Sequence, residues 1–526
     1  MWRVEPEPSG AAIWGQKRRN DAQPISLRFM HAAALTRARQ FRALAAAVCL
    51  ALILPRIAQA GMFVDGVTYA VLARNLARGT GTFWAPSFST TVYPVFYEQP
   101  PLGIALESLA FRALGDHLYV ERLFSVLIFA LTALLVVWLW RRVLPRDYDW
   151  LPLFFWILPS TVTWAAINNM LEGTQALFTT AAVLLLVRAM LAVRARDAVA
   201  AAACAALGVL GAALTKGPVG LFPLAVPPLA LLLTGAGRPQ LTRLALVWIT
   251  LLGVTASLAA ITLAIPDARH ALAEFARTHV MPALQGERGL PRRSFDIARH
   301  FTLGIIARMG ALAALLWVIR PARREAPGLR WNVTVFFFAT GLIASLPLLA
   351  SPVLAGHYFV PSVPFFALSV AAIALPAVEA YRQRTAGWVR FIPASLAALL
   401  VVLSVGVLLS RGPMEKRDVD LVAAVRKIGS EVPGALTVGA CASAAEDWGQ
   451  HGYFQRFHGI SLAATDNPVN GFMVVRRVAC PAPPGCSRVV DSRELILYRC
   501  TDRATAGSPQ SAAIRMAGEH SLHPFR

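Results

Sequence analysis

Apolar runs recur along this chain, at about 42–60, 122–140, 150–167, 173–190, 198–214, 217–235, 244–265, 302–320, 331–350, 360–378 and 391–410. Each is close to the roughly 20 residues an α-helix needs to cross a bilayer. Inside lipid every backbone N–H and C=O needs an internal partner, so runs of this length fold as helices. The pattern predicts an all-α polytopic membrane protein with about eleven transmembrane helices over 42–410. Composition agrees, since 56% of the 526 residues are hydrophobic.

The formal net charge of +21 raises nucleic acid as a partner. Its distribution argues otherwise. Arginines gather in alternate short loops, as in Arg141, Arg142 and Arg146 or Arg320, Arg323, Arg324 and Arg330. That side carries about twice the basic residues of the other, the asymmetry that orients membrane proteins. No basic stripe interleaved with aromatics is present, so no nucleic-acid partner is expected. The bias puts the N-terminus in the cytoplasm and the loop 61–121 outside. Residues 1–41, with Lys17-Arg18-Arg19, read as a disordered cytoplasmic tail. Ala58-Gln59-Ala60 has the spacing of a signal-peptidase site, but Arg56 interrupts the apolar stretch before it.

After about 411 the chain becomes polar. Residues 418–428 read as a helix, and 435–441, 472–478 and 494–500 as strands. A small extracytoplasmic α/β domain over 411–500 follows, then a disordered tail at 501–526. Of six cysteines, Cys49 and Cys204 fall in apolar runs and read as packing residues. The other four lie in the polar domain, an even cluster that suggests two disulfides in an oxidising compartment, with three pairings open. The turn-rich PAPPG stretch favours Cys480–Cys486, leaving Cys441–Cys500.

The loop 61–122 holds two short amphipathic helices. The first runs from Gly66 to about Arg78, with Asp65 as N-cap and Tyr69, Leu72, Ala73 and Leu76 on one apolar face. The second begins at Pro100-Pro101, where a missing N–H costs nothing, and stops near Gly115. Glu98 sits just ahead of its positive end. Asp65 and Glu98 therefore stand at helix entrances beside the membrane, and topology puts Glu172, between the third and fourth runs, on the same side. Each also suits a bland role as cap, dipole partner or solvated turn residue.

Lys216 is the only lysine between positions 18 and 415, at a Gly-Pro turn on that side. An ammonium beside free backbone N–H groups binds phosphate; the plain alternative is an interfacial lysine reaching out of the bilayer. Arg292, Arg293, His300, His357 and Tyr358 are further polar candidates on the same face, and Tyr69 a substrate contact. Carboxylates at the outer ends of several spans, with a cation among them, suit sugar transfer from a lipid-linked phosphate. The carboxylate takes the acceptor's proton and the cation meets the departing phosphate. No cofactor is implied; a divalent metal stays open, although no His/Cys/Asp cluster has ligand spacing. A transporter or lipid flippase is the rival reading, but such proteins put ionisable groups near the bilayer midplane, and these spans are nearly free of acids.

The motifs VDGVTYA, GTFWAP, YEQPPLG, GDHLYVERL, NNMLEGT, LTKGPVG and GHYFVPSVP, in this order, resemble the bacterial branch of glycosyltransferase family 39. Relatives there include the protein O-mannosyltransferases and the lipid A aminoarabinose transferase. The resemblance covers about 42–380. It implies a GT-C fold and inverting transfer from a polyprenyl-phosphate-sugar donor to an envelope lipid, glycan or protein, at the periplasmic face of the inner membrane. It matches Asp65 to the family's base, Glu98 to the acid before the Pro-Pro helix, and Lys216 to the lysine of the KGP turn. Two departures stand out. The family often has Asp-Glu where this chain has Asp65-Gly66. The aminoarabinose enzyme carries cations where Thr68 and Gln99 stand here, which shifts donor-phosphate binding towards Lys216, Arg292 and Arg293.

Overall fold

Along the helix α4 (Val120–Val143), Leu123, Leu127, Leu131, Leu134 and Trp138 are exposed while Ser125, Thr132, Val136 and Trp140 are buried. An apolar stripe facing outwards and small or aromatic residues facing inwards is the pattern of a helix packed in lipid. The computed structural model describes residues 25–234, 238–285, 299, 301–319, 331–349, 355–384, 392–411, 416–434 and 436–500. Among these residues, eight helices are long and apolar enough to cross a membrane. They are α1 (Ile25–Ile57, apolar from Ala38), α4, α5 (Leu171–Leu191), α6 (Ala195–Lys216), α7 (Arg238–Ala264), α9 (Trp331–Leu349), α10 (Val363–Arg384) and α11 (Ile392–Arg411). Three shorter helices near one end of the bundle are α2 (Val64–Ala77), α3 (Leu102–Leu114) and α8 (Pro266–Phe275).

The other three expected spans take different forms. The run at 150–167 is a pair, Arg146–Ile157 and Ser160–Ile167, bent by 79°. Pro159 stands in the break and offers no N–H to continue the first helix. The run at 217–235 begins as the 3₁₀ turn Pro218–Ala225, followed by the helix Val226–Thr234. The run at 302–320 is the π turn Thr302–Ala307 leading into Arg308–Val318.

A buried ion cluster ties the end of the bundle opposite the loop. Asp149, fully buried, accepts from Arg42 Nε at 2.7 Å and Arg141 Nε at 2.5 Å. At the loop end, α2 and α3 pack around Tyr69, Leu72, Phe88, Phe96, Ile104 and Phe111. Phe63, not Asp65, caps α2, and no side chain serves as the cap; Asp65 stands in the first turn with its carboxylate free of that duty. The helical segment also starts at Ile25, inside the stretch expected as a disordered tail. The rest of that tail, and 501–526, lie outside the described residues.

The C-terminal domain is α/β, as the strand and helix patterns imply. Helices α12 (Val419–Glu431) and α13 (Trp448–His458) pack on strands β1 (Thr437–Ala440), β2 (Ser461–Ala464), β3 (Phe472–Arg476), β4 (Cys486–Asp491) and β5 (Leu495–Cys500). The sheet order is β2-β1-β3-β5-β4, with β1 parallel to β2 and β3, and β5 antiparallel to β3 and β4. Asp447 accepts from the Gln450 N–H at 2.9 Å to start α13, and Gly459 ends it at φ 68°.

The expected disulfides are corrected here. Cys441 bonds Cys480, and Cys486 bonds Cys500. Cys486 faces Cys500 directly across the β4–β5 ladder, and Cys441 leaves β1 beside β3, whose chain leads on to Cys480. Sheet neighbours pair; the nearest cysteines in sequence do not.

This domain rests on the loop. Its core takes in Met62 and Val67. A Cβ on Gly452 would lie 2.8 Å from Val67, so α13 approaches α2 at glycine distance. Arg456, buried, donates to Asp116 Oδ1 at 2.6 Å and Glu121 Oε2 at 2.8 Å, and Arg74 Nη1 donates to the Gln455 carbonyl at 2.8 Å.

Candidate active site

Each candidate group stands where one helix begins or ends. Glu172 lies in the first turn of α5 and Lys216 is the last residue of α6, so both complement their helix dipoles. Gly217, at φ 82°, then stops α6 and turns the chain into Pro218. The packing of α5 on α6 brings Lys216 Nζ to 2.6 Å from Glu172 Oε1. Glu172 is 1% exposed and Lys216 12%, so the pair sits out of bulk water.

The 3₁₀ turn Gly356–Phe359 closes over this pair. His357 Nε2 lies 3.5 Å from the same Glu172 oxygen, and Lys216 Nζ lies 5.0 Å from the centre of the Tyr358 ring. Trp164 stacks on His357 at 5.3 Å, with Phe63 edge-on at 5.8 Å. Burial drives the His357 imidazole down to about 4; Glu172 resists the fall and Lys216 adds to it. At neutral pH His357 is uncharged, and its contact with Glu172 is not an ion pair.

Asp65 faces the same space from α2. Burial pushes its carboxyl up to about 6 against the pull of Lys216, with Glu172 and Glu98 adding to the rise. Tyr69, one turn further along α2, is buried in the loop core. Burial and then the charges of Asp65 and Glu172 hold its phenol well above the ordinary range. Glu98, partly exposed, accepts from the Tyr93 hydroxyl and has His279 Nε2 at 4.0 Å.

The structure thus brings together Asp65, Glu98, Glu172, Lys216, Tyr69, His357 and Tyr358. Arg292, Arg293 and His300 lie outside the described residues. Among the described residues, no group of three or more His, Cys, Asp or Glu side chains is placed to hold a metal ion. The aromatic wall of Phe63 and Trp164, and the Tyr93 and His279 partners of Glu98, carry no sequence signal beyond the motifs around them. Asn168 and Asn169 belong to the motif NNMLEGT, in which charge singles out only the glutamate.

No protein-family model and no curated protein matches the sequence. Solved structures do. The crystal structure of ArnT from Cupriavidus metallidurans bound to undecaprenyl phosphate aligns with a TM-score of 0.60 at 15% identity, covering 88% of this chain and 98% of that one. The fold is that of ArnT. The apo ArnT structure from the same organism aligns at 0.60 and 14%, covering 86% of this chain and 96% of that one. At this identity the likeness is one of fold, and it agrees with the GT-C architecture that the motif order implies.

Proposed function

We propose that this protein is a membrane glycosyltransferase moving one sugar from a polyprenyl-phosphate carrier to an acceptor hydroxyl. The observation that carries the reading is the buried Lys216–Glu172 pair at the loop end of the bundle, whose charges act on Asp65 in the first turn of α2. The ArnT structure of the same fold holds undecaprenyl phosphate, a lipid whose tail suits an apolar bundle and whose phosphate suits an ammonium.

Asp65 acts as general base. It takes the acceptor's hydroxyl proton as that oxygen attacks the anomeric carbon from the face opposite the phosphate. The bond from that carbon to the phosphate oxygen breaks through an oxocarbenium-like state, and configuration inverts. The leaving phosphate keeps the electron pair and needs no acid. Lys216 meets its charge; the ammonium has three donors, and Glu172 uses one. Glu172 holds the ammonium in place, and Glu98, with its Tyr93 partner, borders the acceptor side. Tyr69, His357 and Tyr358 line the sugar, and Arg292 and Arg293 serve the phosphate as second cations.

The loop 61–121 and the C-terminal domain lie on the periplasmic side of the inner membrane in this reading, the N-terminus in the cytoplasm. The donor is a polyprenyl-phosphate sugar and the acceptor an envelope lipid, glycan or protein. The test is an Asp65→Asn protein, which should insert normally and transfer no sugar to envelope glycolipids, glycans or glycoproteins analysed by mass spectrometry. Unchanged product would sink the base assignment.

A further inference from the structure

The turn Asn168-Asn169, just ahead of Glu172, holds a buried polar network that the chemistry above does not use. Asn168 Oδ1 accepts the Phe63 N–H at 2.9 Å, at the mouth of α2. Its backbone carbonyl comes so near α2 that a Cβ on Gly66 would lie 1.8 Å from it. Asn169, at φ 53°, donates from Nδ2 to Glu107 Oε1 at 2.8 Å and to the Gly66 carbonyl at 3.3 Å. Phe63 and Gly66 bracket Asp65. Both asparagines and Glu107 are buried. Buried polar groups cost stability unless paired, and a paired network fixes one geometry where apolar packing allows several.

We infer that Asn168, Asn169 and Glu107 are positioning residues, which lock the first turn of α2 against the turn into α5 and so set the reach from Asp65 to the Lys216–Glu172 pair. Burial, reinforced by Glu121, holds the Glu107 carboxyl well above its ordinary range despite the Asn169 bond and the Arg456 charge. Glu107 serves this network as the acceptor of the Asn169 amide. The glycine at 66, where the resembling family often has glutamate, is the residue that such close approach demands.

The inference rests on the proposed transfer reaction, so its test has one arm that reads activity and one that does not. In the full-length protein, Asn169→Ala and Glu107→Leu should lower kcat by about tenfold to hundredfold, with KM for the donor within about twofold. Glu107→Gln keeps an acceptor oxygen and should hold kcat within about threefold, with an unchanged pH profile. Independently, amide exchange over 63–70 should quicken in Asn168→Ala and Asn169→Ala but not in Glu107→Gln. Wild-type kcat and exchange in Asn169→Ala would overturn the inference. So would a Glu107→Gln protein as inactive as Asp65→Asn, since Glu107 would then move a proton itself. Faster exchange in a protein that transfers no sugar supports the lock and fails only the proposed function.

Discussion

The Lys216 ammonium lies 2.6 Å from Glu172 Oε1, joining the end of α6 to the start of α5 inside the bundle. Removing one partner of such a pair leaves a buried charge, at a cost of about 3–5 kcal/mol. Glu172→Gln and Lys216→Met should therefore each destabilise the protein by that order. The double variant Glu172→Leu, Lys216→Met should regain most of the stability, because two apolar side chains leave no charge behind. Transfer should not return with it: losing the cation opposite a departing phosphate lowers kcat by about 10²–10³-fold. Thermal unfolding in detergent beside a transfer assay separates the two effects. A destabilised Lys216→Met protein with full activity would reduce the pair to a structural link.

Asp65 makes the reaction depend on pH in a stated direction. With its carboxyl raised to about 6, the base is protonated below that value and free above it. The kcat/KM profile should rise to about pH 6 and then level, since this ratio reports groups in the free enzyme. Stability should run the other way. The native state holds a proton that the unfolded chain gives up near 3.8, so stability falls as pH rises from that value through about 6. Asp65→Asn should thus be inactive and more stable than wild type at neutral pH. A less stable Asn variant would mean that the carboxylate is favourably paired.

Arg456 clamps the C-terminal domain to the loop through Asp116 and Glu121. Arg456→Met leaves the almost fully buried Glu121 without its partner, costing about 3–5 kcal/mol. The break falls at the seam between two cores, so the domain should loosen before the bundle melts. Limited proteolysis should then release the C-terminal domain in the variant at protease levels that spare wild type. Equal resistance would show that the remaining contacts, among them Met62, Val67 and the Arg74–Gln455 bond, hold the seam without Arg456.

The bundle was legible because lipid imposes one rule on every span, and hydropathy reports it. The three departures from about eleven uniform helices sit at prolines or at a π turn, where the same apolar content takes a broken backbone. In the site, Asp65, Glu172 and Lys216 were readable from charge at span ends. The partners that hold them were not. Asn168 and Asn169 are small polar residues in a turn, and turns are rich in asparagine for local reasons. Only tertiary approach reveals that their amides face α2 and α3. Asp65 was misread as a cap because residue type and position favour that role, whereas Asn168, distant in sequence, meets the mouth of the helix.

The disulfides were misread for a related reason, and they yield the most direct check. Strand β4 is exposed or half-buried, with Val490 its one buried residue, so hydrophobic patterning does not reveal its ladder with β5. Without that ladder, the short turn between Cys480 and Cys486 looked decisive. Non-reducing peptide mapping should find Cys441 joined to Cys480 and Cys486 to Cys500, with Cys49 and Cys204 as thiols. The links span 39 and 14 residues. In the chain-entropy account these close loops worth about 4 and about 3 kcal/mol, so Cys480→Ser should destabilise the domain more than Cys486→Ser. Cys480→Ser should also free Cys441 for alkylation and leave the other link intact. A crosslinked peptide joining Cys480 to Cys486 would overturn the β4–β5 register along with the pairing.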